Sequence, residues 1–513
     1  MNWQNLRRGA FFAAVFVETL YVLFYFFIIY KGPDHAEHLH ASWLVWQGQI
    51  PYKDFFEHHH PLLWYIAAPM VALFYKNVMI FYVARLVSAV VYIIMFWGVY
   101  RISYDFLKIS KKAFITALML FLLYPSFVIS LFEFAPDSFM FASFVWGLWF
   151  YFRFLENKQQ KMLNVSFILW TIAFLFLQKV LLMLFIPCVY TFYLVIRKET
   201  SLKTVIKATI IPLVLFGLFL SYFIYHQALR EFIILNYDLN YWMCQLKGEG
   251  GFPKFTSIFM MTSLIAAFCL YDFLKIHNRY RSIFAVLLIG DFLFKMITWA
   301  PWIQYFMLIE LGGLLIISQE IFTLKVKKAS YILLSFIIYM HLVSIKVNPI
   351  TYEKLFYFKF YLNLQNYIMI NSQTKDDIII TDGDGRIFNI YGKNPHYYWF
   401  GFSNIAPLSY YLYGYGGAFD INSMVKYHKP VFLFKGKFIN HLSFDANLCG
   451  EYHKYLEKLY YRFPNKGEGA TAFADYWNQP FFYVIDDDIF DKYYKPTEKP
   501  YLFIRKDAPE LRF

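Results

Sequence analysis

Long apolar segments follow one another along the chain up to about residue 346. Several approach the roughly 20 apolar residues that cross a bilayer as a helix. Backbone polar groups in hydrocarbon must pair within their own segment, so these segments predict helices. The predicted spans lie near residues 10–30, 79–100, 113–130, 137–152, 163–177, 180–196, 208–225, 256–274, 282–296, 302–321 and 329–346. The pattern therefore predicts a polytopic α-helical membrane protein with about eleven transmembrane helices.

The hydrophobic pattern changes after residue 346. Apolar runs shorten to strand length and are bounded by Gly, Asp, Pro and Lys, which is typical of a small α/β domain. The runs are residues 377–381, 431–434, 481–485 and 501–504. We therefore predict a membrane domain over 1–346, which includes a long first outward loop at 32–78, and a small C-terminal α/β domain over 347–513.

Composition excludes an ordinary soluble protein. The 513 residues are 59% hydrophobic and 16% charged, whereas soluble domains are about 25% charged. The deficit of charge agrees with the long apolar segments and indicates that lipid is the main solvent of the chain.

The net charge of +13 follows from an uneven distribution of Lys and Arg. Cations concentrate in the segments that the predicted spans place on the side of the N-terminus, which indicates a cytoplasmic N-terminus and, with an odd span count, an extracytoplasmic tail. No nucleic-acid partner is needed to explain the charge. The inner cations include Arg7, Arg8, Arg101, Lys111, Lys112, Arg197, Lys198, Lys203, Arg279, Arg281, Lys327 and Lys328.

The first outward loop opens with an amphipathic pattern over residues 33–46. Asp34 and Glu37 share one helical face, while Leu39 and Trp43 share another. This pattern predicts a helix at the membrane interface, with Trp at the level of the lipid headgroups and the carboxylates held at a fixed depth. The alternative is a surface helix with a solvated acidic face.

An acidic, histidine-rich turn follows, with Glu57 directly before His58, His59 and His60. Three histidines suggest a metal site. However, consecutive residues point in different directions on any regular backbone, so the run by itself is a weak signal for a self-contained metal cluster.

Seven short motifs occur in order on the predicted outward side. They are Asp34, Gly48-x-x-Pro51-Tyr52-x-Asp54, Glu57-His58-x-x-Pro61-Leu62, Ala84-Arg85-Leu86, Phe134-Ala135-Pro136-Asp137, Leu177-Gln178-Lys179 and Pro301-x-x-Gln304-Tyr305. Together they resemble the GT-C superfamily, and more closely the bacterial relatives of the dolichyl-phosphate-mannose protein mannosyltransferases and lipid A aminoarabinose transferases. Three positions depart from that family: Ala135 replaces its usual Arg, His59 replaces the Lys of many members, and His35 follows the first-loop Asp where the family often has Glu.

The resemblance implies a GT-C fold and an inverting transfer of a sugar from a polyprenyl-phosphate donor. The acceptor would be a glycolipid, polysaccharide or protein at the outer face of the bacterial cytoplasmic (inner) membrane. Asp34 matches the catalytic base, with Glu37 and Asp137 as further catalytic acids. The other implied roles are donor-phosphate binding by Lys179, Arg85, His58 and His59, and substrate binding by Asp54, Glu57, Gln304 and Tyr305. Because some family members use a divalent metal ion and others do not, the metal remains open.

Two other functions stay open from the sequence. One is a transporter or flippase of a lipid-linked saccharide, which predicts charged residues along a path through the spans and broken helices in paired positions. The other is a non-catalytic envelope assembly protein. Only the glycosyltransferase requires the Asp34 carboxylate for chemistry, so Asp34→Asn distinguishes the three.

Overall fold

A computed structural model of the chain is mostly helical over the part that it describes. The described residues are 3–28, 33–122, 130–240, 257–275, 278–297, 306–323, 362–363, 366–371, 378–380, 390–391, 432–434, 491–497 and 502–507.

Most predicted spans coincide with helices. The helices are α1 (Trp3–Ile28), α2 (Pro33–Trp46), α3 (Leu62–Leu73), α4 (Ile80–Asp105), α5 (Lys111–Leu122), α6 (Pro136–Asn157), α7 (Gln160–Phe176), α8 (Val180–Ile196), α9 (Leu202–Tyr225), α10 (Leu229–Ile233), a π-helix (Ile234–Asp238), α11 (Ser257–Lys275), α12 (Arg279–Ile297) and α13 (Met307–Thr323). Among these, α4, α6 and α9 are long and apolar enough to cross a membrane. The predicted span at 329–346 lies outside the described residues, and the count of eleven stays a prediction.

The chain divides into two compact units. The helical unit comprises Met1–Lys31, Tyr82–Tyr222 and Lys247–Phe356, and the loop unit comprises Gly32–Phe81, Phe223–Leu246 and Tyr357–Phe513. The first outward loop thus belongs to the same unit as the tail. The domain boundary predicted after residue 346 lies outside the described residues.

Close helix packing in the helical unit depends on glycine. A Cβ on Gly147 of α6 would overlap the indole ring of Trp170 on α7. The same Trp170 donates its indole N–H to the carbonyl of Phe144 at 3.3 Å. Small residues allow backbones to approach in membrane helices, where packing replaces the hydrophobic effect as the driving force.

A buried ion cluster ties α11, α12 and α13 together. The guanidinium of Arg281 contacts the carboxylates of Asp272 at 2.5 Å and Glu320 at 2.6 Å. Arg281 thus offsets the cost of burying these charges, which is high for an unpaired ion. All three lie in segments predicted to approach the cytoplasmic side.

The loop unit buries α2 on both of its faces. Glu37 and His38 are as inaccessible as Leu39. Trp43 stacks on Tyr75 with ring centroids 5.2 Å apart and meets the edge of Tyr391. The alternative of a solvated acidic face is therefore wrong, and Trp43 packs against protein rings instead of lying exposed at headgroup level.

Within the described residues, four short strands form a sheet in the order β1-β2-β4-β3. The strands are β1 (Ile378–Ile380), β2 (Phe432–Phe434), β3 (Tyr494–Pro496) and β4 (Leu502–Arg505). β1 pairs with β2 in parallel, with Ile379 opposite Leu433, and the other two pairs are antiparallel. Two predicted runs contain β1 and β2, and a third overlaps β4. The sequence pattern missed β3, and the run at 481–485 lies outside the described residues. A separate C-terminal α/β domain stays a prediction.

Candidate functional site

Four side chains with metal-ligand chemistry meet in the loop unit. Glu37 extends from α2, and Glu57, His58 and His59 come from the turn that precedes α3. One ligand-type atom of each side chain lies within 4.8 Å of those of the others. We call Glu37, Glu57, His58 and His59 the Glu–His cluster. All four residues belong to the first outward loop that the sequence predicts, and the fold brings their side chains together.

The turn is held in shape through its backbone carbonyls. The Tyr52 hydroxyl donates to the carbonyl of His59 at 2.5 Å, and the Asn240 amide donates to the carbonyl of His58 at 3.0 Å. The backbone between Phe56 and His60 is neither helix nor strand. This irregular path lets the rings of His58 and His59 approach, with centroids 4.0 Å apart.

The third histidine of the run faces elsewhere. The Nε2 atom of His60 is 3.1 Å from the hydroxyl of Tyr237, and its ring contacts Phe232. The expected divergence of consecutive side chains therefore separates His60 from the cluster, while His58 and His59 stay together.

Glu57 is the most buried acid of the cluster. Burial raises the pKa of its carboxyl well above the usual range, and the nearby charge of Asp34 raises it further, whereas hydrogen bonds from the His58 backbone and Glu37 oppose the shift. The His58 N–H reaches the Oε2 atom of Glu57 at 3.2 Å. The raised pKa favours the neutral form of the Glu57 carboxyl.

Asp34 lies in the first turn of α2 and is partly exposed. It is close enough to Glu57 for its charge to raise the pKa of that carboxyl. The N-terminal end of a helix favours a negative charge. Asp34 is therefore an accessible carboxylate beside buried acids, and two carboxyl groups in contrasting environments are typical of acid–base sites.

Tyr52 has a positive φ of 70°. A bulky residue in this left-handed region costs about 1–2 kcal/mol. Contacts with the rings of Trp64, Phe223 and Phe232 bury Tyr52 completely, and they hold it in this conformation. Strain of this kind tends to occur at functional sites, and here it aims the hydroxyl at the histidine turn.

Asp54 is exposed and closes the turn that begins at Ile50. Its carboxylate accepts the Ile50 N–H at 2.7 Å, and its own N–H donates to the Ile50 carbonyl at 2.9 Å. This contact gives Asp54 a structural role in the loop. Its expected role in substrate binding stays a prediction.

Arg85, Asp137 and Lys179 belong to the helical unit. Arg85 is buried on α4 and donates to the carbonyl of Phe26 at 2.7 Å, in the last turn of α1. The last carbonyls of a helix lack partners within the helix, so this arginine stabilises the end of α1. This contact gives Arg85 a structural role that the sequence did not predict.

Asp137 and Lys179 both lie at helix N-termini. Asp137 occupies the first turn of α6, where a carboxylate is favourable, and Lys179 is the N-cap residue of α8. A cation at the positive end of a helix is unfavourable. The preference of a helix N-terminus for negative charge therefore explains the position of Asp137 but not that of Lys179. Gln304 and Tyr305 lie outside the described residues.

Sequence reasoning missed the residues that support the cluster. Asn240 and Trp64 carried no functional motif, although the indole of Trp64 donates to His38 beside the cluster. Asn240 lies far along the chain from His58, so no local spacing signals their contact. Tyr52 belongs to the Gly48-x-x-Pro51-Tyr52-x-Asp54 motif, but the sequence assigned it no role.

The model of the dolichyl-phosphate-mannose-protein mannosyltransferase family matches residues 58–225. This match supports a membrane glycosyltransferase of the GT-C type. A comparison of the chain with curated proteins gives no match.

The matched segment contains the predicted donor-phosphate residues His58, His59, Arg85 and Lys179, as well as Asp137. It begins after Asp34 and Glu57 and ends before Gln304. The roles proposed for the acidic residues of the first loop therefore rest on the geometry of the site.

Proposed function

We propose that this chain transfers a sugar from a polyprenyl-phosphate donor to an envelope acceptor, with inversion, on the outer face of the bacterial inner membrane. The acceptor is a glycolipid, a polysaccharide or a protein. The observation that carries the proposal is Asp34, a partly exposed carboxylate at a helix N-terminus beside the buried Glu–His cluster.

Asp34 acts as the general base. The acceptor hydroxyl attacks the anomeric carbon while Asp34 takes its proton, and the bond from that carbon to the phosphate oxygen breaks. The polyprenyl phosphate leaves with the bonding electrons. A positioned carboxylate contributes about 10²–10⁴-fold to such a step. The partial exposure of Asp34 supports this role, because a general base must come within hydrogen-bond reach of the acceptor hydroxyl.

The remaining residues bind substrate. Lys179, Arg85, His58 and His59 meet the donor phosphate, where positive charge stabilises the leaving group. Glu37 and Asp137 assist at the acceptor, Asp54 and Glu57 shape its pocket, and Gln304 and Tyr305 line the donor cavity. The position of Lys179 supports its role, since helix stability disfavours a cation there.

Sugar transfer in membranes tests the proposal. Wild-type protein and Asp34→Asn are supplied with radiolabelled polyprenyl-phosphate sugars, and label that reaches acceptor is counted. We expect transfer by the wild type and a loss of about 10²–10⁴-fold in the variant. Glu156→Gln is the matched control, because Glu156 is exposed and pairs with Arg153 at 2.8 Å. Equal transfer by Asp34→Asn and the control would show that Asp34 is not the base.

A further inference from the structure

Basic side chains gather in the helical unit where the start of α7 meets the start of α9. The Gln160 amide donates to the carbonyl of Thr204 at 2.9 Å, which places the first turns of the two helices side by side. The turn between α8 and α9 leads into the same place. We call the exposed cations of these segments the basic surface: Lys161, Arg197, Lys198, Lys203 and Lys207. All five lie in segments that the charge distribution predicts to be cytoplasmic.

The one acid of the turn between α8 and α9 already has a partner. Residues 197–207 contain four cations and a single carboxylate, that of Glu199. Glu199 pairs with Arg279 of α12 at 3.1 Å, and Arg279 also donates to the hydroxyl of Tyr190 at 2.7 Å. Within the described residues, no ion pair joins the basic surface to an acid. Its positive charge is therefore available to an anion from outside the chain.

Helix stability does not explain several of these cations. Lys161 and Lys203 are each the second residue of a helix, at the end where a positive charge is unfavourable. Lys198 has a positive φ of 56°, a conformation that usually belongs to Gly just after a helix. The negative end of α8 favours the charges of Arg197 and Lys198, but it is not the end at which Lys161 and Lys203 lie. A binding partner would account for cations at both kinds of position.

α9 extends the basic surface into an apolar stripe. Side chains at i, i+4, i+7, i+11 and i+15 share one face of a helix. In α9 these positions are all exposed, and they are Lys203, Lys207, Ile210, Val214 and Leu218. The apolar stretch of α9 is only 11% buried, against 67% for that of α6. Two ammonium groups at the end of a lipid-facing stripe match a phospholipid, which has a charged phosphate above its acyl chains.

We propose that the basic surface binds the headgroup of an anionic glycerophospholipid, with an acyl chain along the exposed stripe of α9. The lipid phosphate accepts hydrogen bonds from the lysine and arginine side chains. Each lysine near an anionic membrane surface contributes a factor of about five in binding. A zwitterionic headgroup carries a cation beside its phosphate and therefore gains less. The proposal concerns a surface remote in sequence from Asp34 and does not depend on sugar transfer.

Lipid binding to the purified full chain tests the proposal. The protein in neutral detergent is titrated with dioleoylphosphatidylglycerol or with dioleoylphosphatidylcholine, and bound lipids are counted by native mass spectrometry. We expect tighter binding of the anionic lipid. Lys203→Gln combined with Lys207→Gln should weaken that binding by about 25-fold, a factor of about five for each lysine, and should leave the zwitterionic lipid unchanged.

A second double variant is the matched control. Lys111→Gln combined with Lys112→Gln removes two exposed lysines from the first turn of α5, on the same predicted side of the membrane. It should leave binding of the anionic lipid unchanged. Lys198→Gly removes a single charge at a position where Gly suits the positive φ, so it tests the site without disturbing the turn, and binding should weaken about fivefold.

Three results would overturn the proposal. Equal binding of the two lipids, or an equal loss in the two double variants, would mean that the cations set only the orientation of the helices in the membrane. Sodium phosphate in excess, compared with sodium chloride at the same ionic strength, should not displace the lipid, because the acyl chain contributes to binding. Displacement by phosphate would show that the surface binds the free anion and not the lipid.

Discussion

The indole N–H of Trp64 donates to the Nδ1 atom of His38 at 3.1 Å, at a buried point between α3 and α2. An accepting Nδ1 carries no proton, so the neutral His38 ring holds its hydrogen on Nε2. The ring of His38 lies 5.3 Å from that of His59. Trp64 thus fixes the tautomer of a residue that packs against the Glu–His cluster.

We expect Trp64→Phe to lower the stability of the protein by about 1–3 kcal/mol, because it removes the donor to a buried acceptor. Thermal unfolding in detergent measures the loss. Trp146→Phe is the matched control, since its indole donates to the Ile94 carbonyl at an exposed site. A control that loses as much stability as Trp64→Phe would contradict a special role for the contact with His38.

The hydroxyl of Tyr52 should stabilise the histidine turn. Tyr52→Phe keeps the buried ring but removes the donor to the carbonyl of His59, so we expect the free energy of unfolding to fall by about 1–3 kcal/mol. Tyr237→Phe is the control, because that hydroxyl contacts His60, which lies outside the cluster. Thermal unfolding in detergent measures both variants. Equal losses in both would mean that general loosening of the loop, and not the contact with the His59 carbonyl, lowers the stability.

Substitution of Lys179 distinguishes a role in donor binding from a role in stability. Lys179→Met removes a cation from the N-terminus of α8, where a positive charge is unfavourable, so the helix itself should lose no stability. If Lys179 binds the donor phosphate, sugar transfer should fall about 10- to 100-fold, the value of one charge-assisted hydrogen bond.

Two comparisons control the Lys179 experiment. Lys179→Arg should restore part of the transfer, because the charge returns. Lys158→Met, at an exposed residue after α6, should leave transfer unchanged. Normal transfer by Lys179→Met would remove Lys179 from the proposed site.

The helices were predictable because hydrocarbon requires long apolar runs, and the apolar pattern marks them directly. The strands β1, β2 and β4 were predictable from short apolar runs between breakers. β3 (Tyr494–Pro496) was missed because two of its three residues, Lys495 and Pro496, are not apolar and Pro is uncommon in strands.

The site was only partly predictable. The acidic and histidine residues of the first loop were identified, but their burial was not, because it depends on distant parts of the chain. Ile390 accepts from His40, and Asn240 holds His58. An amphipathic pattern shows which residues share a helical face, but not which segment will cover that face.

The contact of His40 with Ile390 predicts a sensitivity to acid. The Nδ1 atom of His40 lies 2.7 Å from the Ile390 carbonyl. Burial lowers the pKa of His40 from 6.5 to about 4, although the bond to Ile390 opposes the shift. The unfolded chain therefore takes up a proton below about pH 6.5 that the folded chain accepts only near pH 4. The stabilising contribution is complete above this window and is lost as the pH falls through it.

The loss amounts to about 3 kcal/mol at most, given about 1.4 kcal/mol for each pH unit. His40→Asn keeps an N–H for the Ile390 carbonyl but cannot titrate, so its unfolding midpoint should fall less than that of the wild type between about pH 7 and about pH 5. His226→Asn, at a less buried histidine of the loop unit, controls for the loss of an imidazole. If wild type and His40→Asn lose stability in parallel, the acid sensitivity arises elsewhere, because only the wild type has a titrating group at this contact.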